Sequence, residues 1–473
     1  MSGSKRRGIT ALLLLLAIAH AGIAAESDYE DAPPDVPIDE RKSPIEKHLE
    51  EELPDEAGPH TDPIRRAVRG WAPVLADSTL SARFRSYYLY GKLVDNSRRE
   101  AWTYGGWLRW KSGLLLDRIR FGIGFYTSQP IHAPSDRDGT QLLRPRQRPF
   151  SVFGETYAAV ELAEGHELRL YRQLYDIPYL NKHDNRMAPN SFEGYSVQGA
   201  LPASGWRPGV RYISGWVSRI KERNSDRFIS MAEQAGAGDA KRGLAMAGIE
   251  LTLTPDVRVG VLNHHVPDVL NIFYTKADWT RRLSDDLALS AEVHYTQQRS
   301  TGDDLLTGSS FDTYFLAGFV GASYRGATLS FAMSTTSDEQ RIRSPYGSRP
   351  SPVDRMLRSF DRADEEAWDA ALIYNFKAHG LPQLTVFGSY TRGTGARIAE
   401  PRESLPDQSE LDLTADYRVK RTRLRGLWVR VRGAFLNQRG GDSQNELRII
   451  LNYDWPVLGP TKRLRARREQ APQ

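Results

Sequence analysis

From Thr79 onward, apolar and polar residues alternate with the two-residue period of a β-strand, in stretches of about ten residues. Clusters of Gly, Asp, Asn, Ser and Pro separate the stretches, and about 18 of them fit between residues 79 and 455, about 21 residues for each strand with its connection. No long helical pattern interrupts them. The alternation is sharpest at the two ends of this region. Leu80, Ala82 and Phe84 share one face, with Arg83, Arg85 and Tyr87 on the other. Trp102, Tyr104, Leu108 and Trp110 oppose Arg109 and Lys111; Ile119, Phe121, Ile123 and Phe125 oppose Arg118, Arg120, Gly122 and Gly124. Near the C-terminus, Leu427, Val429, Val431 and Phe435 oppose Trp428, Arg430 and Arg432, and Leu447, Ile449, Leu451 and Tyr453 oppose Arg448, Asn452 and Asp454. An apolar face opposite an arginine face cannot pack as a core on both sides; it suits lipid on one side and water on the other. A sheet in hydrocarbon must close, because an open edge leaves backbone groups unpaired. The pattern therefore predicts an all-β fold, a transmembrane antiparallel up-and-down β-barrel of about 18 strands around an aqueous lumen.

Composition agrees. The 473 residues are 40% hydrophobic with a mean hydropathy of −0.52, too polar for a bundle of membrane helices, yet a barrel needs only alternate residues to be apolar. The 10 Trp and 21 Tyr could supply interfacial girdles. There are no cysteines, which excludes thiol catalysis and Cys-based zinc sites and suits a chain crossing an oxidising compartment unfolded.

The N-terminus reads as an export signal over residues 1–25: Lys5, Arg6 and Arg7, then an apolar run over 9–19, then small residues ending at Ala24 and Ala25, with cleavage expected near Ala25. Residues 26–76 form an acidic, Pro-rich leader expected to be disordered, apart from a helix near 45–52. Between 26 and 62, 14 acidic residues face Arg41, Lys42 and Lys47, a net charge of −11. The barrel is assigned to 77–458, and a basic tail of net charge +4 to 459–473.

In a closed sheet the last strand lies beside the first. The basic residues of the terminal strands then form one arc of lumen wall: Arg83, Arg85, Arg109, Lys111, Arg118, Arg120, Arg430, Arg432 and Arg448. Such a ladder would attract an anionic group and pass it along without holding it tightly. The guanidinium fork suits carboxylate, whose two oxygens it can bond together.

Residues 175–195 read YDIPYLNKHDNRMAPNSFEGY, which resembles the OprD (porin D) family of substrate-specific outer-membrane porins. KERNSDRFISMAEQAG at 221–236, GDDLLTGSSFDT at 302–313, STTSDEQRIRSPYGS at 334–348, FDRADEEAW at 360–368 and LPQLTVFGSYTRGTG at 381–395 are similar to it as well, in order along the chain. The resemblance implies an 18-stranded monomeric pore with inward-folded constriction loops, a basic ladder, and passive uptake of carboxylate-containing nutrients such as organic acids or amino acids. It assigns Tyr175, Tyr179, Asn181, Asp184, Asn185 and Arg186 to a constriction loop. Asp354, Asp361 and Asp364, in the loop after residue 337, are a candidate acidic pocket opposite the ladder. Two features depart from the family pattern: the length of the acidic leader, and the basic tail after the last strand.

The expected setting is the bacterial outer membrane, reached through the periplasm. The expected partners are membrane lipid, small carboxylate solutes and the barrel-assembly machinery, with the barrel a monomer or loose trimer. Nothing in the sequence points to a cofactor, a metal or nucleic acid. The nearest alternative is a general diffusion porin. An outer-membrane hydrolase using Ser309 or Ser310 with His264, His265 or His294 is a more distant one, since no G-x-S-x-G elbow is present.

Overall fold

The structure, a computed structural model, describes residues 73–459 except 206, 399–402, 420–423 and 442. The signal segment, the leader up to residue 72 with its expected helix at 45–52, and the tail from 460 lie outside the described residues. A one-turn helix, Pro73–Ala76, leads into the first strand.

Eighteen long strands follow: β1 (Thr79–Lys92), β2 (Arg98–Lys111), β3 (Ile119–His132), β4 (Phe150–Ala163), β5 (His166–Gln173), β6 (Ser191–Leu201), β7 (Gly209–Lys221), β8 (Leu244–Thr254), β9 (Val257–Val266), β10 (Leu270–Arg282), β11 (Leu287–Arg299), β12 (Asp312–Tyr324), β13 (Ala327–Thr336), β14 (Glu366–Asn375), β15 (Leu384–Thr394), β16 (Gln408–Arg418), β17 (Leu427–Gln438) and β18 (Ser443–Leu458). Each pairs antiparallel with the next, and β18 returns to pair with β1 through Arg83↔Asp454 and Arg85↔Asn452, so the sheet closes as the sequence pattern requires.

Connections alternate in length. At the end that carries both chain termini, turns such as 164–165, 255–256 and 325–326 are tight. Arg325 (φ 46°) and Gly326 (φ 89°) both take positive φ, as a type I′ hairpin turn requires. The opposite end carries the long loops 133–149, 174–190, 222–243, 300–311, 337–365 and 395–407.

The outer face is apolar as predicted: Phe84, Trp102, Tyr104, Leu108, Phe121 and Ile123 are exposed there, as are Phe435, Leu447 and Ile449. The inner face departs from the expected uniform polarity. On β1–β4 and β16–β18 the inward residues are largely charged or polar. On β6–β13 many are apolar, including Phe192, Val217, Leu262, Ile272, Tyr274 and Phe315. Apolar side chains of loops 174–190 and 337–365 cover this half, among them Ile177, Tyr179, Leu180, Ile342, Tyr346 and Val353. Each such fully buried side chain stabilises the docked loop by roughly 1.5–3 kcal/mol before entropy is subtracted. The inner face is therefore apolar and loop-covered over β6–β13, and largely charged or polar over β1–β4 and β16–β18.

Candidate functional site

The two inward loops lock onto one another. Asn181 Nδ2 donates to the Ser348 carbonyl (2.6 Å), and Ser348 N donates back to Asn181 Oδ1 (2.9 Å). Gly347, at φ 151°, permits this approach: a Cβ there would lie 2.9 Å from Asn181 N. Tyr179, at φ 63°, inserts its ring beside Tyr274 and donates to Thr296 Oγ1 (2.9 Å). Tyr175 packs on Phe192 (5.5 Å between centroids). Both tyrosines are buried and serve as anchors beneath the pore surface, while Asn181, Asp184, Asn185 and Arg186 line the open cavity.

Asp184 bridges the loop to the charged wall. Arg85 Nη1 donates to Asp184 Oδ1 (3.2 Å), Arg85 Nε to Asn452 Oδ1 (2.8 Å), and Arg83 Nη1 lies 3.9 Å from Asp184 Oδ2. Burial alone would raise the Asp184 carboxyl, but Arg85, then Arg83 and Arg109, hold it below the usual carboxylate range. Arg85 also donates to the Arg186 carbonyl oxygen. Lys221, buried at the end of β7, donates to the Pro189 carbonyl (2.9 Å) and fixes the far end of the same loop.

The nine basic residues singled out in the sequence fall into four groups. Arg83, Arg109, Arg430 and Arg448 are ion-paired along the wall, with Asp454, Glu155, Asp416 and Glu446 respectively. Arg109 and Arg430 also lie over Trp107 and Trp428, each at 4.4 Å. Arg85 holds Asn452 and the loop, as described. Lys111, Arg118 and Arg120 sit near the turn end, Lys111 and Arg118 exposed there. Arg432 hydrogen-bonds Thr414 Oγ1 (3.2 Å) and has no carboxylate partner among the described residues. Of the nine, Arg432 and Arg448 line the cavity.

That cavity holds about 600 Å³ and lies between loop 174–190, loop 337–365 and the wall. Asp354 and Asp361 line it and converge on one buried cation, Arg349. Burial pushes Asp354 up to about 6 against the pull of Arg349, and Asp361 adds to the rise. Asp364 stands apart from these two, paired with Arg397 outside the cavity. A second acidic group comes from the wall. Glu410 accepts from Leu357 N (2.7 Å) and Arg358 N (2.9 Å), and Asp412 accepts from Met356 N (3.0 Å), so these carboxylates clamp loop 337–365. Sequence reasoning missed Glu410, Asp412, Arg223 and Arg349. The alternation of 408–418 was the available signal for the first pair; nothing local marks two loop arginines as lumen-facing.

The histidines do not assemble a hydrolytic site. His264 Nε2 lies 2.9 Å from the Pro178 carbonyl oxygen, and His294 Nδ1 lies 3.3 Å from Glu292. No group of three His, Asp or Glu suited to a metal occurs among the described residues.

Comparison with known proteins places this architecture. The family described as "outer membrane porin, OprD family" matches residues 73–457. The porin-like protein GalP of Pseudomonas putida is 22% identical over 410 residues, 84% of this chain and 95% of that protein. Among solved structures, OccK9 (OpdG) of Pseudomonas aeruginosa superposes with a TM-score of 0.73 at 23% identity, covering 81% of this chain and all of the other. OpdK of Pseudomonas aeruginosa, solved with vanillate, gives 0.71 at 21% identity over 80% of this chain and 99% of that one. A closed barrel of 18 strands, a lumen narrowed by two interlocked loops, and a family match over nearly the whole described chain identify it as a member of the OprD family of outer-membrane porins, a family of pores rather than enzymes.

Proposed function

We propose that the pore is a passive, substrate-selective channel for small carboxylate-bearing solutes, organic acids or amino acids, guided along the arginine-rich wall. One observation carries this reading: a cavity of about 600 Å³ at the constriction is bordered by Arg432 and Arg448 on the wall and by further arginines of the loops. In so narrow a space a guanidinium attracts an anion and releases it readily, because neighbouring guanidiniums compete for the same group. The vanillate bound to OpdK, itself a carboxylate, supports the same chemistry. Assembly by the barrel machinery, and function as a single barrel or loose trimer, belong to this proposal.

A general diffusion porin is the second reading. It is favoured by the ion pairs Arg83–Asp454, Arg109–Glu155 and Arg430–Asp416, which already neutralise part of the wall. Planar-bilayer recording separates the two. The selective channel conducts without ATP or a proton gradient, with small unitary currents that a carboxylate solute blocks saturably and that Arg432→Gln renders less sensitive to block. Large currents indifferent to carboxylate would favour the general porin.

A further inference from the structure

The cations facing the cavity are unevenly compensated. On the loop side, Arg186 is buried and bonds only neutral oxygens: Nε donates to the Thr140 carbonyl (3.0 Å) and Nη1 to the Asn185 carbonyl (3.0 Å). Arg223, from loop 222–243, donates to Asn185 Oδ1 (2.7 Å) and Gln141 Oε1 (2.5 Å) and contacts His183. Neither has a carboxylate partner among the described residues. On the wall side, Arg432 directly opposes Arg448 in the β17–β18 register, a like-charge cross-strand pair of a kind that ordinarily destabilises a sheet. Among the described residues, Glu446, bonded to Arg448, is the only carboxylate that bonds any of the four arginines. Asp412 lies near the wall pair, but one of its oxygens is taken by Met356 N.

These four guanidiniums line the same cavity, two from the loops and two from the wall. Burial lowers Arg186 to about 10 and Arg223 to about 9, with Arg448 acting on the first and Arg186 on the second. Such a cluster is charged against itself, and anionic groups in the cavity would relieve it.

We propose that the constriction is built for a solute with two acid groups, one held by Arg186 and Arg223 of the loops and the other by Arg432 and Arg448 of the wall. The proposal rests on the carboxylate-channel reading and narrows it to small dianions, dicarboxylates foremost. A monoacid satisfies only one pair and leaves the other uncompensated. The dianion gains from both pairs, and each group can step to the next cation as the other lets go.

The test is uptake into proteoliposomes of three probes of nearly equal size: glutarate, its monoamide and its diamide, carrying two, one and no negative charges. In the parent channel, glutarate half-saturates at about a tenfold lower concentration than the monoamide, equivalent to about 1.4 kcal/mol. Arg186→Gln and Arg223→Gln each shrink that advantage to about twofold, whereas Arg432→Gln weakens both acids. The diamide reports pore width in every variant. If Arg186→Gln shifts the loop and diamide flux rises, Arg223→Gln and the charge-retaining Arg186→Lys, expected to keep the advantage, carry the test. Equal half-saturation of glutarate and its monoamide in the parent, or an advantage untouched by both loop variants, overturns the two-acid site while leaving the carboxylate channel standing. Fluxes of both acids that never saturate and equal that of the diamide overturn the carboxylate reading itself.

Discussion

Replacing Arg85 with Gln tests whether the wall arginines hold the constriction as well as line the pore. Arg85 is 1% exposed at its side chain and meets Asp184 at 3.2 Å. At an effective dielectric of about 20, two unit charges at that distance attract by about 5 kcal/mol before desolvation is counted. Removing one partner of a buried pair costs about 3–5 kcal/mol, because the other charge is left behind. Arg83, 3.9 Å from Asp184, retains part of the attraction, so the lower bound of about 3 kcal/mol is the better figure. That energy bears on the docking of loop 174–190, and it changes the docked-to-undocked ratio by on the order of a hundredfold. In single-channel recordings, Arg85→Gln should spend much of its time in larger, noisier conductance levels. Asp184→Asn combined with Arg85→Gln should be quieter than Arg85→Gln alone, since the orphaned carboxylate is gone. A double-mutant cycle on level occupancy should give a coupling of about 2 kcal/mol or more. A coupling below about 0.5 kcal/mol would mean the two residues act independently, and the account of Asp184 as the loop's electrostatic anchor would fall.

Glu410→Ala together with Asp412→Ala removes three hydrogen bonds to residues 356–358, each worth about 1 kcal/mol. The released segment should be nicked by trypsin at Arg355 or Arg358 and conductance should rise; resistance equal to the parent's would count against the clamp. Asp354 ordinarily titrates near 3.8 and is pushed up to about 6 in the fold, so between those values the folded protein binds more protons than the unfolded chain. Its contribution to stability therefore falls as pH rises from about 4 through about 6. Because Arg349 and Asp361 face it, protonation also leaves Arg349 less compensated, and anion selectivity from reversal potentials should rise as pH drops through about 6. Asp354→Asn should abolish that step, and an unchanged step would assign it elsewhere.

The legibility of this chain varies with position. On strands that carry lipid on one face and water on the other, such as β1 and β18, the alternation gives each residue's side directly, and Arg83, Arg85 and Arg448 point inward as read. On β6–β13 the inner face is itself apolar, so alternation weakens. Phe192, Val217 and Phe315 read as membrane-facing or core without distinction, and only the docked loops show why they are buried inside. The resemblance singled out residues between 175 and 186 as inward-folded, while their different places, with Tyr175 and Tyr179 as anchors and Asp184 as the bridge, came from long-range contacts.

The sequence by itself determined the barrel and its closure, because a strand's two faces are written at period two and an open edge is untenable in hydrocarbon. It also determined which residue types were available to meet an anion. Tertiary structure alone decided which arginines are already paired. Arg83 finds Asp454 371 residues away only because β1 and β18 adjoin, and the cavity acquires Arg223 only because a loop after β7 reaches Asn185 in the loop before β6. Charge along a chain is local, but compensation of charge is decided by neighbours in space, and in a closed barrel those neighbours are set by register and by the loops that fold inside.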